Sequence, residues 1–217
     1  MKIKFAMLLA ASGLLFAGTA GAESLVDGDA EAGKARAMTC MACHGAEGNS
    51  SSPLWPNIAG QNANYTLAQL QAFKKGAMEP DATEGVRRDP LMSSQAAMLS
   101  DEDMANLAVY FESLPAAAQA VADPSTVEGA EALYRGGDLE DKTAACLACH
   151  GPSGKGNPAA EYPAVSGQHA AYTAKQLRDY RSGDRTTDGP TRMMRDIAAT
   201  LDDSEIEALS SYMQGLH

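Results

Sequence analysis

Apolar residues recur at helical spacing in two segments of the chain. Within Ser100–Leu114 the stripe is Met104, Leu107, Ala108, Phe111 and Leu114; within Asp202–Leu216, at an offset of 102, it is matched by Ile206, Leu209, Ser210, Met213 and Leu216, all apolar but the serine. An i, i+3, i+4, i+7 recurrence turns one face of an α-helix towards a core. Ser100 with Asp103, and Asp202 with Glu205, have the spacing of capping boxes that start these helices.

The pairing of segments extends further. At an offset of 107, "WPNIAGQNANYTLAQLQAFKKG" (Trp55–Gly76) lies on "YPAVSGQHAAYTAKQLRDYRSG" (Tyr162–Gly183), matching Pro56 to Pro163, Gln61 to Gln168, Tyr65 to Tyr172 and Leu70 to Leu177. These segments read as helices ending at Gly76 and Gly183, residues suited to a left-handed C-cap. A first helix is predicted in each copy, around "DAEAGKARAMTC" and "TVEGAEALYRGG". No strand pattern competes, so the chain reads as all-α and built from two copies of one fold. Residues 115–126, alanine-rich with a proline near each end, read as the linker.

Composition adds two constraints. Residues 1–22 combine Lys2 and Lys4, the apolar run "FAMLLAASGLLFAG" and small residues at Ala20-Gly21-Ala22, the form of a secretory signal peptide cleaved after Ala22. Without its two lysines the formal net charge falls from -11 to -13, which argues against nucleic acid as a partner. Aromatic residues make up only 6% of the chain, little for two separate cores, so something besides side chains is expected to fill them.

The chain's four cysteines lie in "CMACH" (Cys40, Cys43, His44) and "CLACH" (Cys146, Cys149, His150). Cys-x-x-Cys-His is the attachment motif of c-type haem: each thiol forms a thioether with a former vinyl group, and the next residue presents an imidazole to the iron. A redox disulfide would bring a βαβ pattern that is absent, and a zinc site would need ligands from two separately folded copies to converge. Two covalently attached haem c groups are therefore expected.

The opposite face of each iron decides the chemistry, because an open position permits reaction whereas a methionine closes it and raises the potential. Of eleven methionines, Met92 alone falls on another methionine, Met194, at the final offset; the others fall on different residues, as Met98 does on Thr200 and Met193 on Leu91. Met92 and Met194 are accordingly the expected distal ligands, opposite His44 and His150, with Met98 the nearby rival in the first copy. The carbonyls of Pro56 and Pro163 are candidates to receive the proximal imidazole N–H. Tyr65 and Tyr172, with Trp55 and Tyr162, are candidates for the haem edges and propionates. His169, opposite Asn62, and His217 have no histidine counterparts and are expected at the surface.

On these motifs, and on "LYRGGDLEDKTAACLACHG", "SGQHAAYTAKQLRDYRSGDRTTDG" and "IEALSSYMQGLH", the chain resembles the cytochrome c4 family of dihaem cytochromes over essentially its whole mature length. The resemblance implies two tandem cytochrome c-like domains, residues 23–114 and 127–217, with His/Met ligation at both irons. It also implies a periplasmic location, sometimes with loose membrane association, and docking across a pseudo-twofold interface with haem propionates close together. The function it implies is delivery of electrons from respiratory donors, such as a quinol-oxidising complex, towards terminal oxidases. One departure is the loop from Gly76 to Met92, which is five residues longer than that from Gly183 to Met194.

The leading functional reading is a monomeric electron carrier acting between redox partner proteins, since a haem closed on both faces changes charge with little change in geometry. The competing class is enzymatic: a dihaem peroxidase, or the cytochrome subunit of a sulfide- or thiosulfate-oxidising enzyme. A peroxidase needs an iron that opens, and no cysteine is spare for a special thiolate ligand. Between Lys175 and Arg195 six basic residues stand against three acids. That stretch reads either as a solvated face held by local ion pairs or as a docking site for an acidic partner, with Arg181 and Arg185 in it.

Overall fold

The computed structural model describes residues 24–217; the signal peptide expected at residues 1–22 lies outside them. Each half has the same helical plan. In the first, α1 (Ala30–Arg36), α2 (Met38–His44), α3 (Ala63–Met78), α4 (Pro90–Ala97) and α5 (Asp101–Glu112) follow in order. The second runs α6 (Val127–Gly136), α7 (Leu147–His150), α8 (Ala170–Ser182), α9 (Met193–Ala198) and α10 (Asp203–Gly215). Among the described residues β-structure is limited to two isolated bridges, Asp138 with Thr143 and Asn157 with Tyr162.

The amphipathic stripes form the cores. Met104, Leu107, Ala108 and Phe111 on α5 are buried, as are Ile206, Leu209, Ser210, Met213 and Leu216 on or just after α10. Both capping boxes close as the spacing requires, Ser100 with Asp103 and Asp202 with Glu205. In each half the first helix packs on the last, and the long middle helix packs on the last and on the short helix before it. The second core, built around Tyr134, Leu177, Ile206, Leu209 and Tyr212, is larger than the first, which gathers Ala37, Leu107, Tyr110 and Phe111.

One helix end differs from its prediction. Gly183 caps α8 in the left-handed conformation, φ 84°, but α3 continues through Gly76 to Met78. Gly76 serves a close approach instead: a Cβ there would meet the Arg87 carbonyl oxygen at 2.1 Å, and the Arg87 N–H donates to Ala72 O in the same helix. The loop after α3 folds back along it.

Residues 115–126 are strapped down at both ends. Asn49 brackets the start, donating to Pro115 O and accepting from Ala117 N, while Gln214 donates to Ala120 O and Ser211 accepts from Asp123 N. The two halves then meet through a reciprocal set of bonds. The Gln61 amide accepts from Ala164 N (2.9 Å) and donates to Ala164 O (2.8 Å); Gln168 does the same to Asn57, at 2.9 and 2.8 Å. Gln61 corresponds to Gln168 and Asn57 to Ala164 at the repeat offset, so the contact has the self-complementary form of a local twofold.

The crossing of α1 on α5 depends on Gly33, where a Cβ would meet Asn106 O at 2.1 Å. Gly129 in α6 has nothing within 4 Å of the same position. Gly33→Ala is expected to lower unfolding free energy by about 1–3 kcal/mol through overpacking. Gly129→Ala should raise it by about 0.5–1 kcal/mol through helix propensity. Denaturant titration of the two holoprotein variants checks the contrast.

Candidate haem sites

In the first half α2 carries Cys40 and Cys43 one turn apart and ends on His44; in the second, Cys146 caps α7, which carries Cys149 and ends on His150. All four thiols are free. Each helix is terminated by a glycine with positive φ, Gly45 at 84° and Gly151 at 77°. At Gly45 a Cβ would strike Asn49 O at 2.2 Å, so the chain turns there as only glycine allows.

Both imidazoles are buried. His44 Nδ1 lies 2.8 Å from Pro56 O, and His150 Nδ1 lies 2.9 Å from Pro163 O. A carbonyl only accepts, so Nδ1 carries the proton in both rings and Nε2 keeps its lone pair. Burial holds both histidines below the ordinary imidazole value, against the opposing pull of the proline carbonyl, and so keeps them neutral. Burial likewise raises the Cys40 thiol and pushes Cys146 up to about 11. Two thiols three residues apart, followed by a neutral imidazole with one nitrogen engaged and one available, fit a covalently attached, iron-ligated haem. Among the described residues no group of three or more His, Cys, Asp or Glu side chains is placed to hold a bare metal ion.

Met92 sits in the first turn of α4, half-buried, and its N–H donates to the Asp89 carboxylate at 2.9 Å. Met194 sits in the first turn of α9, half-buried, and packs on the same core cluster as Cys146. Both therefore stand at short helices and not on an irregular loop. Met98 is 66% exposed at the end of α4. Met193, which pairs with Leu91 in the repeat, brings its sulfur to 4.0 Å from Cys149 Sγ.

Tyr65 and Tyr172 enter a cluster that spans both halves. Arg185 Nη2 donates to Tyr65 OH (2.7 Å) and Gln69 Oε1 (2.8 Å), and its Nη1 donates to Gln176 Oε1 (2.8 Å). Arg87 mirrors it, donating to Tyr172 OH (3.3 Å), Gln176 (2.8 Å) and Gln69 (3.1 Å). Arg87 lies over the Phe73 ring and Arg185 over the Tyr180 ring, again repeat partners. Burial raises the Tyr172 hydroxyl, but Arg87 and Arg185 outweigh it and bring it below the ordinary tyrosine value.

Two expectations are corrected here. Arg185 does not belong to a solvated basic face: it is 4% exposed and bonded across the interface. Lys175, Arg178 and Arg181 do form local ion pairs, with Asp179, Glu207 and Asp203. His169 is buried, not at the surface, and its Nε2 donates to Ser50 O of the first half at 2.9 Å. Its repeat partner Asn62 donates to Tyr162 O of the second half at 2.7 Å, so the two unlike residues do the same work. His217 is exposed. Sequence reading missed the arginine pair, although Gln69 and Gln176 are identical at the repeat offset and mark its centre.

Comparison with known proteins agrees with this geometry. The cytochrome c family profile matches residues 30–115 and again 137–217. Cytochrome c4 of Azotobacter vinelandii is 51% identical over 88% of this chain and 90% of its own length. The crystal structure of reduced recombinant cytochrome c4 from Pseudomonas stutzeri is 49% identical, covers 88% of this chain and all of its own, and superposes with a TM-score of 0.83. A more distant relative, the thiosulfate dehydrogenase electron acceptor of Stutzerimonas stutzeri, is 37% identical over 81% of this chain and 78% of its own length.

Replacing Arg185 by Met leaves the Tyr65 hydroxyl without this donor and the Gln69 and Gln176 amide oxygens with Arg87 as their one arginine donor, which is expected to lower holoprotein stability by about 1–3 kcal/mol. Arg181→Glu, which loses a largely exposed ion pair with Asp203 and one bond to Leu201 O, should change stability less. Parallel denaturant titrations of the two variants read the difference directly.

Proposed function

The chain belongs to the cytochrome c4 family of dihaem c-type cytochromes, and from that membership we propose that it carries electrons in the periplasm from a quinol-oxidising respiratory complex to terminal oxidases. It is an electron carrier and not an enzyme, with two tandem cytochrome c domains that hold two covalently attached haem c groups. The proposal extends to the ligands: His44 and Met92 at the first iron, His150 and Met194 at the second. Export with cleavage after Ala22, function as a monomer and loose association with the membrane surface complete it. Among the described residues no helix is long and apolar enough to cross a membrane.

The observation that carries the reading is the duplicated histidine arrangement. Each imidazole is neutral, tied at Nδ1 to a proline carbonyl and left with Nε2, beside two free thiols. Each haem supplies a one-electron couple; the polypeptide supplies attachment, ligation and a fixed setting. Support for the methionines is their unique register in the repeat and their matching places in the first turns of α4 and α9.

Arg87 and Arg185 support the placing of propionates at the interface. Neither guanidinium has a carboxylate partner among the described residues, although Arg185 is buried and Arg87 half-buried, and buried cations are ordinarily paired. Carboxylates brought in by the haems suit them, with Tyr65 and Tyr172 as the neutral members of the same cluster. Residues 23–114 and 127–217 are taken as the two domains, joined by 115–126.

A second reading is acceptance of electrons from a sulfur-compound dehydrogenase, favoured by the relative that bears the name thiosulfate dehydrogenase electron acceptor. Reduction of the purified ferric protein by a quinol-oxidising complex, compared with reduction by a thiosulfate dehydrogenase, separates the two.

Two haems per chain, both low-spin and both with the long-wavelength ferric band of thioether ligation, are expected from absorbance spectra of the purified protein. Met92→Ala and Met194→Ala should each remove about half of that band and open one iron to cyanide, since one of two equivalent ligands is lost. A variant whose spectrum is unchanged removes that methionine from the ligand set. Ready cyanide binding by the unaltered protein sinks the carrier reading in favour of a peroxidase.

A further inference from the structure

The two methionine helices are held in different ways. α4 is capped within its own half, where the Asp89 carboxylate accepts from Leu91 N at 3.0 Å and Met92 N at 2.9 Å. α9 follows Arg192, an N-cap residue in the left-handed region at φ 55° that makes no side-chain cap. Its restraint falls on Arg195, the residue after Met194. The Arg195 side chain is 6% exposed, and Asp188 accepts from both its backbone N–H and its Nε, each at 2.9 Å. The far end of the guanidinium is taken by Glu84 of the other domain, Nη1 to Oε1 and Nη2 to Oε2, both at 3.0 Å.

Glu84 lies on the α3–α4 loop, the segment that is five residues longer than its repeat partner. That loop is fastened to the second domain on both sides of Glu84. Gly85 N donates to Thr186 O at 3.1 Å, and Thr186 Oγ1 donates to Thr83 O at 3.0 Å. The extra length thus reaches the segment that leads into α9. A two-point guanidinium–carboxylate contact fixes direction as well as position. Ser93, in register with Arg195, accepts from Asp89 N of its own domain, and among the described residues no equivalent contact crosses to the first methionine helix.

We propose that Glu84 is a positioning residue for the second haem: acting through Arg195, it holds the Met194 thioether in place, and so gives the first domain a hold on the distal ligand of the second. The proposal rests on the assignment of Met194 as that ligand. Glu84 is 65% exposed on its side chain, so the pair steadies a ligand and contributes little to folding.

The test uses full-length holoprotein in two backgrounds. Met92→Ala leaves only the thioether band of the second haem, and Met194→Ala only that of the first. Imidazole titration against the remaining band, with the potential of the same haem, is measured with and without Glu84→Gln. Asp81→Asn, an exposed residue of the same loop, removes the same charge. Glu84→Gln is expected to raise imidazole affinity at the second haem by about two- to fivefold, the range set by an exposed ion pair. It should also lower that haem's potential and leave the first haem unchanged, while Asp81→Asn alters neither. No change at the second haem, equal changes at both haems, or the same change with Asp81→Asn overturns the proposal. A Met194→Ala protein that keeps the whole band overturns it at its premise, an outcome distinct from a failed Glu84→Gln titration in a protein whose band has halved.

Discussion

The peptide segment after each proline is shared between a histidine and the opposite domain, and most of the architecture depends on that sharing. Pro56 O accepts from His44 Nδ1, while the next residue, Asn57, has both its N–H and its C=O paired with the Gln168 amide. Pro163 O accepts from His150, and Ala164 is paired in the same way with Gln61. Movement of either segment would turn an imidazole and break the domain contact together. The setting of each CxxCH histidine and the docking of the domains are one mechanical unit. Asn57 adds to this, because its side chain accepts from Ser50 N and donates to Gly167 O, joining the loop after one histidine to the other domain.

Around that symmetric centre the two domains diverge. The first core is smaller, and its short helix α4 is capped by Asp89. The second core carries Tyr134 and Tyr212 in tilted contact, with the Tyr134 hydroxyl donating to Gly151 O just after the haem-site histidine. Burial lifts that hydroxyl well above the ordinary tyrosine value, so it stays a neutral donor throughout the working range. Two irons in such unlike surroundings need not share a potential, because burial and nearby dipoles tune each one.

Local signals in the sequence were enough for the helices and the attachment sites. Ser100 and Asp202 cap by reaching three residues ahead, the stripes on α5 and α10 repeat within a single helix, and each CxxCH is five residues long; none of these depends on what lies across the molecule. The misread residues are those whose role is set by segments distant in the chain, in the other domain for Arg185 and His169 and in a returning loop of its own domain for Gly76. Arg185 sits in a basic stretch, and only the fold brings Tyr65 and Gln69 to it. His169 looked unmatched because its partner in the repeat is Asn62, yet both are donors at the start of a helix facing the opposite domain. Gly76 resembled a helix end until the returning loop placed Arg87 O against it. Internal alignment was also blind to Arg87 and Arg185 as a pair, since the loops that carry them differ in length.

The choice of interface chemistry follows from the charge of the protein. Two domains in a chain with a net formal charge of -11 repel each other at long range, and an interface of surface ion pairs would weaken as salt rises. The centre is instead held by neutral amides against backbone, by Asn62 and His169 against carbonyls, and by two guanidiniums, each resting on a ring of its own domain and bonded to amide and hydroxyl oxygens of the other. Neutral hydrogen bonds are not screened, and a guanidinium over a ring keeps its attraction where water is excluded. The crossing ion pair, Arg195 with Glu84, lies towards the rim, with Glu84 largely exposed. Ionic strength therefore acts on the contact beside α9 and leaves the symmetric centre, with the proline segments that hold the histidines, in place.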